Sequence, residues 1–276
     1  MAEASTGSPA APSTDSTGST ALDRLIETVS VTAIGDDRFQ GRGSTDDGVD
    51  ATFGGHFLAQ AISAALATVE PTRQLHSIHA SFLRAGRPGD PFTLEVERVR
   101  DGLSFATRRV RAFQEEGRLL FELTASCTVP EDGPEYQGST PPDLDALPAP
   151  ESLPRYRDLM ADLDPLPLPE AWAFRDYGLD IRTINAPWVA DGPSPDDGIR
   201  LWVRADGALP DDQHLQAALL AYQSDESLAD CVAIPFGGTW GSPGVLFVSL
   251  DHSMWFHRPV DLNDWLLLDQ RPVTVG

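Results

Sequence analysis

The sequence contains no lysine, so all of its positive charge comes from arginine. Its 20 basic residues stand against 42 acidic residues, which gives a formal net charge of −22 at pH 7. A protein that binds nucleic acid or an anionic membrane surface needs a positive footprint. The shortage of basic residues therefore argues against both kinds of partner.

Cysteines and long apolar runs are also scarce. Cys127 and Cys231 are the only cysteines, and they lie far apart without CxxC spacing, which excludes a disulfide framework and a zinc-ribbon site. No apolar run reaches the roughly 18 residues of a membrane span. The first 20 residues lack the basic and apolar regions of a signal peptide. These absences predict a soluble, cytoplasmic protein.

What is present suffices for a large core, because 41% of the 276 residues are hydrophobic. Composition shifts divide the chain into four segments. We predict a disordered tail over 1–20, a first folded unit over 21–130, a linker rich in Pro, Asp and Leu over 131–170, and a second folded unit over 171–276.

Each folded unit has the pattern of one long helix accompanied by strands. His56–Val69 has a broad apolar face with many alanines, which predicts a helix packed against a sheet. The strands predicted after it are Leu75–Arg84, Phe92–Arg100, Phe105–Phe113 and Leu119–Val129. In the second unit a helix is predicted to open after Pro210-Asp211. Strands are predicted there at Ile181–Ala186, Ile199–Arg204, Val245–Leu250, Trp255–Arg258 and Trp265–Asp269.

The two units look like copies of one another. Phe82-Leu83-Arg84 superposes on Phe256-His257-Arg258, and the same shift places Leu94 on Leu268. Under this superposition the first copy continues through two more strands, for which the second copy has no sequence. An incomplete C-terminal unit is therefore expected.

Several motifs carry a resemblance to a known family. Those in the first unit are Phe53-Gly54-Gly55, His76-Ser77-Ile78-His79, Phe82-Leu83-Arg84 and Asp101-Gly102-Leu103-Ser104-Phe105. Those in the second are Leu209-Pro210-Asp211-Asp212, Tyr222-Gln223-Ser224-Asp225 and the highly specific run from Asp251 to Pro259. Together they resemble the acyl-CoA thioesterase II (TesB-type) family over roughly residues 22–269.

The resemblance implies an α+β double hotdog fold, in which each unit wraps an antiparallel sheet around a long central helix. It also implies a homo-oligomer that hydrolyses fatty acyl-CoA without a metal or another cofactor. The family's catalytic aspartate falls on Asp225 and its hydroxyl residue on Ser249. The family's glutamine belongs to a further strand and has no counterpart in this sequence, so weakened activity of the chain is expected.

Substrate-binding candidates come from the start of the first long helix and from an arginine cluster. Gly54, Gly55 and His56 open the helix, whose N–H groups can polarise a thioester carbonyl. Arg108 and Arg109 belong to a cluster around Asp101-Gly102, and arginine suits the phosphates of CoA. A solvated strand face paired with glutamates is the alternative for these arginines.

Two other functions stay open on the sequence alone. One is a non-catalytic acyl-CoA-binding or assembly partner with the same fold. The other is a hotdog hydratase or dehydratase, for which His56 is the acid–base candidate. His252 and His257 lie five residues apart, so on a strand they face opposite ways and are expected to be structural rather than a metal pair.

Overall fold

The structure is a computed structural model that describes residues 20–43, 51–115, 117–138, 142–164, 166, 170–185, 198–233 and 247–274. Its helices are α1 (Ala21–Val29), α2 (Gly54–Leu66), α3 (Tyr156–Ala161), α4 (Glu170–Ala173), α5 (Gln213–Ser224) and α6 (Leu228–Ala233). Its strands are β1 (Thr32–Gly35), β2 (Arg38–Arg42), β3 (Gln74–Phe82), β4 (Pro91–Asp101), β5 (Phe105–Gln114), β6 (Arg118–Thr128), β7 (Leu179–Asn185), β8 (Ile199–Ala205), β9 (Asp251–Trp255) and β10 (Leu266–Gln270). Short 3-10 helices lie at Leu144–Ala146 and Pro150–Ser152.

The strands form two antiparallel sheets. Seven strands pair in the order β1-β2-β4-β5-β6-β3-β9, and three pair in the order β10-β8-β7. Helix α2 is apolar almost all round, with Leu58, Ala61 and Ile62 fully buried. A helix of this kind must be covered on all sides, and α2 accordingly lies between the large sheet and α5. The result is an α+β double hotdog, as the resemblance implied.

The pairing of β3 with β9 shows the relation between the two units. The strands run antiparallel, with Ser77 opposite Trp255 and His79 opposite Ser253. His79 Nδ1 lies 3.0 Å from Ser253 Oγ, and these residues are 174 positions apart, which is the shift of the internal repeat. A residue that pairs with its own counterpart marks a local two-fold relation. The repeat is therefore visible as two hotdog units joined edge to edge.

Corresponding strands have corresponding neighbours. In the first unit β2 pairs with β1 and β4, and in the second β8 pairs with β7 and β10. Strands β5 and β6 extend the first unit, and the described residues of the second unit contain no equivalent pair. The start of α2 and the end of α5 meet beside the end of β3, where Gly54, Asp225 and Phe82 lie close together.

Four segments differ from the sequence-based expectation. The strand predicted at Trp255–Arg258 is wrong after Trp255, because β9 ends at that residue. The predicted linker contains α3, whose Met160 is fully buried against Trp172. The stretch before α2 contains β1 and β2, which are absent from the strands predicted above. The strand predicted at Val245–Leu250 is wrong for residues 247–250, which are not in a strand, and its first two residues lie outside the described part. Residues 1–19 of the predicted tail also lie outside it.

None of the helices in the described ranges is both long enough and apolar enough to cross a bilayer. The longest of them, α2, has 13 residues, whereas a bilayer requires about 20.

Candidate active site

Asp225 lies at the end of α5, a helix that is capped at its start and buried along its inner face. At the start, Asp212 caps the helix by accepting hydrogen bonds from the N–H groups of His214 and Leu215. Alanine and leucine residues bury its inner face against α2. Asp225 then occupies the C-cap position, and its side chain is only 7% exposed.

Ser249 approaches Asp225 from the chain that leads into β9. Its Oγ donates a hydrogen bond to Asp225 Oδ1 at 3.1 Å. The two residues that the resemblance assigned to catalysis therefore meet, although 24 positions separate them. Because the hydroxyl proton is directed to Oδ1, the lone pairs of Ser249 Oγ remain able to accept a hydrogen bond from a water molecule.

The double glycine at the start of α2 allows the two helices to approach closely. A Cβ atom on Gly54 would lie 2.4 Å from Asp225 Oδ2 and 2.9 Å from Phe82 Cε1. A Cβ atom on Gly55 would lie 2.7 Å from the carbonyl oxygen of Tyr222. None of these distances is compatible with a side chain, so glycine at both positions brings the first turn of α2 against the last turn of α5.

The N-terminus of α2 therefore faces the buried carboxylate. Phe53 occupies the N-cap position and supplies no side-chain acceptor, so no side chain caps the N–H groups of Gly54 and Gly55. The N–H group of His56 donates to the carbonyl oxygen of Phe53 at 3.1 Å. These groups carry partial positive charge because the helix dipole ends there. Asp225 Oδ2 thus lies beside Gly54, the first residue of α2.

His252 is a further site residue, whereas its place on a strand predicts a structural histidine. It lies on β9, is 8% exposed, and places Nδ1 3.7 Å from Asp225 Oδ1. Its Nε2 lies 3.0 Å from Ser224 Oγ. The position of His252 on a strand does not predict its contact with Asp225, because the contact depends on how α5 packs behind β9.

His56 lies near the same spot but within the helix interface. It is 1% exposed, and its ring packs edge-on against Phe53 and Tyr222 at centroid distances of 6.0 and 5.3 Å. The structure thus places Gly54, Gly55, Asp225 and Ser249 together and sets the His56 ring among aromatic rings beside them.

Comparison with known proteins identifies the family of the chain. Residues 42–128 match the family described as "Acyl-CoA thioesterase N-terminal domain", and residues 194–274 match the family described as "Acyl-CoA thioesterase". The chain is 34% identical over 250 residues to Acyl-CoA thioesterase 2 of Haemophilus influenzae, covering 89% of this chain and 85% of that protein. The chain belongs to the acyl-CoA thioesterase II family.

Solved structures support the same family membership. The acyl-CoA thioesterase II TesB2 of Mycobacterium marinum superposes with a TM-score of 0.71 at 30% identity, covering 91% of this chain and 87% of that one. A protein of unknown function with a hot dog fold from Alicyclobacillus acidocaldarius superposes with a TM-score of 0.68 at 20% identity, covering 90% and 84%. This second likeness concerns the fold alone.

In this member of the thioesterase family, Arg108 is not placed to bind CoA. Its side chain is 1% exposed. Its five N–H groups donate to the hydroxyl and carbonyl oxygens of Thr68, to the carbonyl oxygens of Arg100 and Thr107, and to Asp101. The expected phosphate contact is thus corrected for Arg108, because no donor of the guanidinium is left and no solvent reaches it.

Arg109 lies on the outer face of the sheet and is 45% exposed. It pairs with Glu97 at 3.2 Å and with Glu122 at 3.6 Å. This arrangement corresponds to the solvated, glutamate-paired strand face that was the alternative in the sequence analysis. A contact between Arg109 and CoA stays a prediction.

A small cavity of about 30 Å³ lies behind the end of α5. Gln223 lines it, is fully buried, and finds no hydrogen-bond partner among the described residues for either amide atom. Nearby, Arg175 forms a buried ion pair with Glu226 and stacks over Trp172 at 3.9 Å. Burial raises the pKa of Tyr156, which also lines the cavity. Sequence reasoning gave no signal of this cluster, whose members come from separate segments.

Proposed function

We propose that the chain hydrolyses acyl-CoA thioesters to the free acid and CoA, and that Asp225 and Ser249 position the attacking water. The observation that carries this proposal is the 3.1 Å hydrogen bond from Ser249 Oγ to the buried Asp225 carboxylate. Family membership supplies the reaction type, since the relatives above are named as acyl-CoA thioesterases.

The geometry supports a direct attack by water. Thioester hydrolysis needs a held water, a base for its proton and donors for the developing oxyanion. Asp225 Oδ2, beside Gly54, serves as the base, while Ser249 anchors Oδ1 and accepts a hydrogen bond from the water. The first-turn N–H groups of α2 receive the carbonyl oxygen as it becomes negative.

The bonds balance without a covalent enzyme intermediate. The water oxygen bonds to the thioester carbon, and its proton moves to Asp225. The C–S bond then breaks, the sulfur leaves with the electron pair, and the proton held by Asp225 returns to it. The products are the carboxylic acid and the CoA thiol.

Turnover of a medium-chain acyl-CoA, followed with a thiol-reactive dye, tests the proposal. We expect Asp225→Asn to lower kcat by about 10²–10⁴, the usual contribution of a positioned base. Ser249→Ala should lose about 10²–10³ by analogy with a lost oxyanion donor, whereas Ser249→Thr keeps the hydroxyl and should retain activity.

Asp251→Asn is the matched control, because Asp251 is an exposed carboxylate two residues from Ser249 and on the same strand as His252. It should leave kcat unchanged. Wild-type turnover that survives Asp225→Asn would contradict the proposed role of Asp225. Tight binding of acyl-CoA by the wild-type chain without thiol release would instead favour a non-catalytic acyl-CoA-binding protein.

We further propose a cytoplasmic homo-oligomer. Both cysteines are free and buried, which suits a reducing compartment. Phe105 and Trp255 expose 42% and 53% of their surface beside β3, and exposed aromatic groups of this kind favour association between sheets. Light scattering during gel filtration tests the oligomer, with a monomeric mass as the contradicting result. Cell fractionation tests the compartment.

A further inference from the structure

We infer that His252 is a positioning residue that orients Asp225 through a proton on Nδ1, an inference that rests on the proposed role of Asp225. His252, Ser224 and Asp225 form one chain of polar contacts behind the carboxylate.

The proton on Nε2 follows from the contacts of Ser224. Ser224 Oγ lies 2.8 Å from the carbonyl oxygen of Ala221, and a carbonyl oxygen can only accept. The single hydroxyl proton is therefore committed to Ala221. At the 3.0 Å contact with His252, Ser224 Oγ must accept, so Nε2 is the donor. This protonation is assigned from the hydrogen-bond network.

The other ring nitrogen of His252, Nδ1, faces Asp225. A neutral imidazole with its proton on Nε2 presents a lone pair at Nδ1. Nδ1 lies 3.7 Å from Asp225 Oδ1, and a lone pair that faces a carboxylate is repelled by it. The contact becomes attractive only when Nδ1 is protonated as well. The orientation of Asp225 is therefore tied to the protonation of His252.

The surroundings make this coupling specific. Within the described ranges, Asp225 is the only charged side chain in ion-pair contact with His252. From β3, the uncharged Ala80 lies opposite His252 in the sheet register. Asp225 and His252 are 7% and 8% exposed, so water screens the pair weakly.

The function of the contact is to select one oxygen of the carboxylate. Ser249 and His252 both approach Oδ1, whereas Oδ2 lies against the space left by Gly54. Holding Oδ1 from two sides directs Oδ2 to the N-terminus of α2, where the proposed water attacks. The separation of 3.7 Å is an ion-pair distance rather than a hydrogen bond, and such contacts often tighten only when substrate is bound.

Two substitutions separate the functions of the two ring nitrogens. In His252→Asn the amide nitrogen occupies nearly the place of Nδ1 and donates to Asp225 at every pH. In His252→Gln the amide reaches the place of Nε2, so the variant keeps the contact with Ser224 but loses the donor to Asp225. A purely structural role predicts similar losses for both variants.

We expect His252→Gln to lower kcat by about 10- to 10²-fold with little change in KM, the cost of losing a hydrogen bond to a charged group. His252→Asn should retain most of kcat. The wild-type kcat should fall as pH rises through the loss of the Nδ1 proton, and this alkaline limb should disappear in His252→Asn. Asp251→Asn should keep the wild-type profile.

The outcomes distinguish this inference from the function on which it rests. Thermal unfolding of each variant checks that it is folded. If the wild-type chain shows no turnover, or if Asp225→Asn is fully active, the proposed function fails. If the wild-type chain turns over, Asp225→Asn is inactive, and both His252 variants keep the wild-type kcat and alkaline limb, the inference about His252 alone is overturned. Equal losses in both variants would also overturn it.

Discussion

Replacing Gly54 with alanine tests whether the close approach of α2 and α5 serves the reaction. The new Cβ atom would lie 2.4 Å from Asp225 Oδ2, and ordinary contact begins at 3.4 Å. The carboxylate must therefore retreat by about 1 Å, because the rings and backbone around it are packed. A displacement of this size at a reacting group costs about 10²-fold in rate.

The effect on stability should be much smaller. Overpacking costs about 1–3 kcal/mol, and alanine recovers up to about 1 kcal/mol of helix propensity relative to glycine. Gly54→Ala should therefore remain folded, with a modestly lowered Tm and a strongly lowered kcat. The thiol-release assay and thermal unfolding measure the two quantities on the same sample.

Gly133→Ala is the matched control, because a Cβ atom there meets nothing within 4 Å. It should retain the wild-type kcat and Tm. A Gly54→Ala enzyme with wild-type kcat would show that Asp225 Oδ2 has room to move without consequence. That result would refute the proposal that the reacting water is held by this oxygen beside the start of α2.

Three further predictions concern stability and reactivity. Gln223→Leu should raise the free energy of unfolding in urea by about 1–3 kcal/mol, because it removes a fully buried amide without partners in the described structure; a decrease would contradict this. Arg108→Met should lower the free energy of unfolding by about 1–3 kcal/mol for each buried acceptor of Thr68 that it leaves without a donor. Arg109→Gln should change the free energy of unfolding by no more than about 0.5 kcal/mol. Equal effects of the two substitutions in urea titrations would contradict the buried role of Arg108. Burial raises the pKa of Cys127 to about 11 and also raises that of Cys231, so a thiol-reactive dye at pH 8 should label neither cysteine until the protein is unfolded; rapid labelling of the native protein would contradict this.

Periodicity in the sequence predicted the elements whose burial pattern is regular. The apolar face of His56–Val69 became α2, and the alternating run from Phe105 became β5 with every second residue buried. Strand β2 was not predicted, because only Phe39 and Gly41 are buried in it and its sequence is mostly polar. Short strands of this kind carry too few apolar residues to produce a periodic signal.

The candidate site could be predicted from the sequence only in part. Asp225 and Ser249 came from the resemblance, since nothing in their spacing shows that the end of a helix meets the chain before β9. The role of His252 was missed because a strand position reveals which way a residue faces and not which helix lies behind it. The phosphate contact predicted for Arg108 was wrong for a related reason. The burial of Arg108 depends on its contact with Thr68 at the far end of α2, and the pattern of charged residues does not reveal this contact.

A double-mutant cycle on Asp225 and Ser249 tests the central claim most directly, with kcat/KM for acyl-CoA as the quantity measured. If Ser249 acts by holding the carboxylate and its water, its hydroxyl has little left to contribute once Asp225 is asparagine. The combined variant should then be about as slow as Asp225→Asn alone, with strong coupling between the sites. Losses that simply add, or an Asp225→Asn enzyme as fast as the wild type, would contradict the account.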